Sequence, residues 1–217
     1  MWIDEYAAAK QATQYLLGLG HATVHHLAIP SWTHTTRRLT GWKAALEEAG
    51  LPVPAPRREG WDAGWGYEAG RQLAQDPTVT AVLCGNDDIA LGAMRAMHEA
   101  GRRVPGDVSI VGFDDVPMAR FYTPALTTVR QDFKSLGRVC FSRLLAVLHQ
   151  PPLDQEPAYP EANLILRESA GPPPRLPSGV LASHPVAGRA IGPTSKSAGA
   201  RPKRGNKVPR TQKEPHA

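Results

Sequence analysis

The sequence predicts an α/β domain built on a parallel sheet, and three observations predict it. Short apolar, β-branched runs alternate with amphipathic stretches of about 10 to 15 residues, the pattern of strand–helix–strand crossovers. Glycines punctuate the ends of the helix-like stretches, and polar residues with useful chemistry collect directly after the strand-like runs. Such alternation argues for right-handed crossovers and a sheet covered by helices on both faces.

Apolar residues at Ala8, Ala12, Tyr15, Leu16 and Leu19 recur at helical spacing and stop at Gly20, marking a first helix. A short strand follows through Val24 to Ile29, and Leu39, Trp42, Ala45, Leu46 and Ala49 mark a second helix closed by Gly50. Pro54 and Pro56 interrupt residues 53–60, so a strand there is short or lies at an edge, and the next helix covers about 65–75. The run Val79-Thr80-Ala81-Val82-Leu83-Cys84, bounded by Pro77 and Gly85, reads as a strand. A helix over about 89–100 then stops at Gly101, and residues 108–113 repeat the strand pattern. A short strand around Thr127-Thr128-Val129 precedes a long helix from Phe133 to about His149. The apolar set of that helix (Phe133, Leu136, Val139, Cys140, Leu144, Val147, Leu148) is wide. A last strand covers residues 163–167.

Beyond it the character changes. Residues 171–217 hold nine prolines, nine Lys/Arg against one acidic residue, and no apolar periodicity. They cannot bury enough surface to offset chain entropy and read as a disordered basic tail. The chain's net charge is +5, but the tail alone carries +8, which leaves the first 170 residues at −3. The cluster Arg201, Lys203, Arg204, Lys207 and Arg210 suits electrostatic contact with nucleic acid, although a solvated tail without a dedicated partner explains it more simply. Cys84 and Cys140 fall in a strand and a helix, where both read as buried small hydrophobes in a reducing, cytoplasmic setting. The first residues show neither a basic run nor a long apolar one, and nothing reaches membrane-spanning length.

In open parallel sheets, ligands bind beyond the carboxyl ends of the strands, so the residues following each strand are the ones to inspect. They are Arg38 in the opening turns of the second helix, Trp61, Asn86 and Asp114, and they should converge on one rim. A guanidinium with five donors, an acceptor carboxylate, an amide that does both and a flat apolar ring suit a neutral polyol. No Walker or Rossmann glycine pattern follows any strand, which argues against a phosphate site. Each residue also has a plainer reading: Asp114 as a turn cap, Asn86 as a structural turn residue, Trp61 as packing, Arg38 as a solvated helix charge.

Three segments carry a specific resemblance. Gly85-Asn86-Asp87-Asp88-Ile89-Ala90-Leu91-Gly92, then Val104-Pro105-Gly106-Asp107-Val108-Ser109-Ile110-Val111-Gly112-Phe113-Asp114-Asp115, then Pro124-Ala125-Leu126-Thr127-Thr128-Val129-Arg130-Gln131-Asp132 resemble, in order and spacing, the signature run of the LacI/GalR transcriptional repressors. Asp4, Leu19-Gly20-His21, Arg38-Leu39-Thr40-Gly41-Trp42 and Trp61 extend the resemblance over roughly residues 2–168. It implies a type I periplasmic-binding-protein-like sensor core of two α/β lobes that closes on a sugar-like effector, works as a homodimer and needs no cofactor. It further implies effector contacts at Arg38, Asn86 and Asp114, a stacking Trp61, and contacts from Asp4 and Gln131 on the other lobe or hinge side. Against the family pattern, the expectation is of a chain truncated at its front, with operator recognition left to a helix-turn-helix domain it does not carry. One lobe, residues 23–125 plus 160–168, reads as complete. Residues 1–22 and 126–150 read as remnants of the other, their apolar faces lacking a sheet.

Rival readings are a sugar-binding protein of a transporter, which the absent export signal disfavours, a non-functional fragment, and an enzyme. Asp87/Asp88 and Asp114/Asp115 are adjacent acids that point apart rather than opposed pairs, and no Gly-x-Ser-x-Gly elbow is present, so no catalysis is expected. His21, His25, His26 and His34 do not share a helical face, so no metal site is expected either.

Overall fold

In a computed structural model the chain forms a five-stranded sheet flanked by helices, and the structure describes residues 4–30, 36–57, 60–149 and 161–174. The expected basic tail therefore lies, beyond residue 174, outside the described residues. The strands are β1 (His25–Leu27), β2 (Ala81–Cys84), β3 (Ser109–Asp114), β4 (Thr127–Arg130) and β5 (Asn163–Ile165), adjacent in that order. The first four run parallel and β5 returns antiparallel to β4. The α/β fold class read from the alternation is the observed one.

Period-two alternation in the central strands builds two cores. Val82, Cys84 and Ile110 face α3 (Ala63–Ala74) and α4 (Asp87–Glu99), packing on Leu73, Ile89, Ala93 and Met97. Ala81, Leu83, Val111 and Phe113 face α1 (Glu5–Gly18) and α2 (Arg37–Glu48), packing on Ala12, Leu16, Trp42 and Leu46. Gly20, Gly50 and Gly101 take φ of 100°, 66° and 73°, the left-handed geometry that ends a helix cheaply only at glycine. The proline-interrupted stretch bridges Arg57 to Leu27 at the β1 edge. A 3-10 turn at Ala119–Phe121 had no clear sequence signal.

The assignment of orphan elements is corrected. α1 is not left without a sheet: Ala8, Ala9, Ala12 and Leu16 are buried in the same core as Leu83 and Val111. Likewise β4 is a ladder partner of β3, with Thr127, Thr128 and Val129 buried. Only α5 (Phe133–His149) keeps the expected uncovered face, with Phe141, Leu144, Val147 and Leu148 all more than half exposed. Cys84 is buried as expected, whereas Cys140 is exposed because it lies on α5.

The segment after β5 is stitched onto the sheet. Ser169 donates to the Ile110 carbonyl (2.6 Å) and accepts from the Thr127 amide (2.8 Å). Gly171 exchanges two bonds with the Ser109 hydroxyl, and His21 Nε2 lies 2.9 Å from the Gly171 carbonyl. Burial lowers the pKa of His21, partly offset by that carbonyl, and its Nδ1 lies 2.9 Å from the Thr80 hydroxyl, so the ring ties the end of α1 to the sheet and to the segment after β5.

Candidate functional site

Four of the helix and strand ends meet at the carboxyl edge of the sheet, and Arg38 is the residue they meet on. Thr36 caps α2, its hydroxyl accepting from the Leu39 amide, which aims Arg38 from the first turn across the end of β3. Arg38 is only 7 % exposed, so it is not a solvated helix charge. Its Nη1 donates to the Gly85 carbonyl, just past β2, and its Nη2 to Asp114 Oδ1 at the end of β3 (3.2 Å). Its guanidinium carbon stands 4.1 Å from the centre of the Phe113 ring, a cation–π contact. Nε and Nη2 also donate to Glu5 Oε1 at 3.2 and 2.8 Å.

Asp114 is held on its other side by Gln131, whose amide donates to the same Oδ1 at 2.6 Å. Burial raises the pKa of Asp114, while the Arg38 charge and the Gln131 bond pull it back. Its backbone sits at φ 106°, a conformation costly for a residue with a side chain and typical of positions where the surroundings dictate geometry. Asp115, at φ 53°, turns the other way and bonds Arg130 and Arg167 at 2.6 Å each. Burial works against its charge, but the two guanidinium groups hold its pKa below the ordinary value. The adjacent acids thus point apart. Asp114 and Gln131 also line an open cleft of about 760 Å3 with Arg120, Phe133 and Lys134. A separate groove, lined by His25, Arg57, Gln72 and Asp76, opens by the amino ends of β1 and β2 and shares none of these residues.

The other expected contacts are nearby but engaged differently. Asn86 caps α4, its carbonyl oxygen accepting from the Ile89 amide (2.8 Å) while its amide donates to the Trp61 carbonyl (2.8 Å). Trp61 is thereby tethered to the β2 end, and the residue is 55 % exposed. Asp4 caps α1 and pairs with Arg37 at 3.0 Å, out at the surface. So Arg38, Asp114 and Gln131 share direct bonds, Asn86 and Trp61 flank them through the Gly85 turn, and Asp4 does not join the network. Glu5 does, although nothing in the sequence singled it out.

Beneath the rim, Asp87 is fully buried and anchors the strand ends from below. Its Oδ1 accepts from the Thr128 hydroxyl (2.5 Å) and its Oδ2 from the Val116 amide (2.7 Å). Burial is the main reason its pKa is pushed up to about 6. Gly112 makes the space, since a Cβ there would stand 2.2 Å from Asp87 Oδ1.

Comparison with known proteins gives this geometry relatives. Residues 13–170 match the family described as the periplasmic binding protein-like domain. The lactose operon repressor of Escherichia coli K12 is 41% identical over 138 residues, covering 63% of this chain and 38% of that protein. The HTH-type transcriptional repressor PurR of Salmonella newport is 41% identical over 150 residues, covering 65% and 43%. Among solved structures, a lac repressor dimer bound to operator and the anti-inducer ONPF aligns with a TM-score of 0.71 at 34% identity, covering 78% of this chain and 59% of that one. The chain spans about two fifths of the length of the curated relatives it matches.

Proposed function

Because this chain belongs to the periplasmic-binding-protein-like domain family and is homologous to the lactose operon and PurR repressors, we propose that it is the effector-sensing core of a transcriptional regulator and that its effector is a neutral, sugar-like polyol. The observation that carries the reading is the Arg38–Asp114–Gln131 network. It offers donors and acceptors side by side at the carboxyl edge of a parallel sheet, with one acceptor held in a strained backbone. Hydroxyls both donate and accept, so adjacent hydroxyls of a polyol can bridge Arg38 and Asp114, while the exposed Trp61 ring covers an apolar ring face.

In this reading the sensor does no chemistry. Binding favours one arrangement of the whole regulator over another, and operator contact belongs to a DNA-reading domain outside these residues. The regulator acts as a homodimer in the cytoplasm. No described helix is long and apolar enough to cross a membrane.

The test is a panel of neutral hexoses, pentoses and sugar alcohols titrated against the 217-residue chain, followed by intrinsic tryptophan fluorescence and calorimetry. At least one member is expected to bind saturably, and Arg38→Met and Asp114→Asn are each expected to weaken that binding by about tenfold or more, the cost of unpairing a buried polar group. Saturable binding that both variants leave intact would move the site elsewhere.

A further inference from the structure

Glu5 is the one member of the Arg38 network that the sensing role does not require. We propose that Glu5 is a specificity-determining residue, an electrostatic filter that keeps acidic polyols such as uronic acids out of the site; the proposal rests on the sensor reading above.

The argument begins with how Arg38 is occupied. Of its nitrogens, Nε gives its hydrogen to Glu5, Nη2 serves Glu5 and Asp114, and Nη1 serves the Gly85 carbonyl. Phe113 closes one face of the guanidinium plane. A ligand that engages Arg38 through Nε or Nη2 must therefore share or displace an existing acceptor. Asp114 is fixed at a strand end by Gln131, and the Gly85 carbonyl is backbone, so the exchangeable partner is Glu5, a longer side chain 28 % exposed in the first turn of α1.

Charge then decides what can exchange. The cluster of Arg38, Glu5 and Asp114 carries one positive and two negative charges. Arg37 is paired with Asp4, and Arg130 and Arg167 both face Asp115, which turns away from Asp114, so among the described residues Glu5 and Asp114 are the charged groups in direct contact with Arg38. A displaced Glu5 stays on α1, within reach of whatever replaces it. A hydroxyl can take a hydrogen from Arg38 and give its own to the Glu5 carboxylate, whereas an incoming carboxylate meets two anions and one cation already shared. Without the Glu5 charge, Arg38 and Asp114 balance, and the penalty on an acid falls.

The experiment uses matched ligands, glucose with glucuronate and galactose with galacturonate, titrated against the full chain and Glu5→Gln. The amide oxygen of the variant still accepts from Arg38, so only the charge is removed. The unaltered chain is expected to prefer the neutral sugar of a pair, and E5Q to shrink that preference by about tenfold, as expected for one nearby charge at a partly screened site. A salt series on the unaltered chain gives the second readout, independent of how the variant folds: the preference narrows as ionic strength rises. An unchanged ratio in E5Q with neutral binding retained, a preference insensitive to salt, or a preference for the uronate would each overturn the filter. Failure of both proteins to bind any member of any pair would bring down the polyol reading itself, and the filter with it.

Discussion

His26 and Asp87 are buried titratable side chains whose pKa values are displaced in opposite directions. His26 stacks on Trp42 with ring centres 5.3 Å apart, its Nδ1 lies 2.8 Å from the Leu83 carbonyl, and its Nε2 has no hydrogen-bond partner among the described residues. Burial pushes its pKa down to about 4. A depressed folded value means that its contribution to stability is complete above the ordinary 6.5 and drains away as pH falls toward 4. Asp87 is the reverse case: raised to about 6, it contributes fully below 3.8 and less as pH rises through 6. Across the shared window the two trends offset. His26→Leu is therefore expected to gain stability relative to the unaltered chain on acidification from pH 6.5 to 4.5, by on the order of 2 kcal/mol, and Asp87→Asn to lose it, both read by urea denaturation. Parallel pH profiles for all three proteins would refute the assignment. In the candidate site, Arg38 and Asp114 were legible as polar residues following strands, and Gln131 only through the resemblance to the family's motif. Glu5 was not, because an acid just inside a helix start is ordinary helix chemistry. Only the packing of α1 beside α2 brings it to Arg38.

The elements themselves were legible wherever a terminator or an alternation was present. Gly20, Gly50 and Gly101 ended their helices as read. The starts lay two or three residues earlier than the apolar pattern suggested, because Asp4, Asp62 and Asn86 cap α1, α3 and α4 by accepting from Ala7, Trp65 and Ile89. Apolar periodicity does not report a polar cap. The same blindness hid the role of residues 168–171, which carry no strand pattern yet hold β3 to β4 through side-chain oxygens. Ser169 is fully buried and satisfies a carbonyl and an amide at once. Its replacement by alanine orphans both groups, so Ser169→Ala is expected to cost about 2 kcal/mol, seen as a lower urea midpoint at an unchanged slope. A change below a few tenths would show that the segment is laid on the sheet without supporting it.

At the scale of the molecule, among the described residues, a covered sheet carries one uncovered helix. The apolar set read for α5 implied a partner surface, and the structure shows no strand or helix packed broadly against it among the described residues. Phe141 is 61 %, Val147 70 % and Leu148 66 % exposed, a contiguous apolar stripe of the kind that monomeric proteins rarely leave in water. α1 and β4 do not share the problem, since both are buried in the main body. Self-association should therefore be driven by α5 and separable from folding. Sedimentation velocity across a hundredfold concentration range is expected to show the 217-residue chain associating, and Leu144→Glu with Leu148→Glu to shift it toward monomer while the unfolding midpoint stays within a few degrees. If the double variant associates as before, the contact lies instead on the surface where Met118 and Phe121 are 60 % and 70 % exposed, and Phe121→Asp should then be the substitution that disperses it.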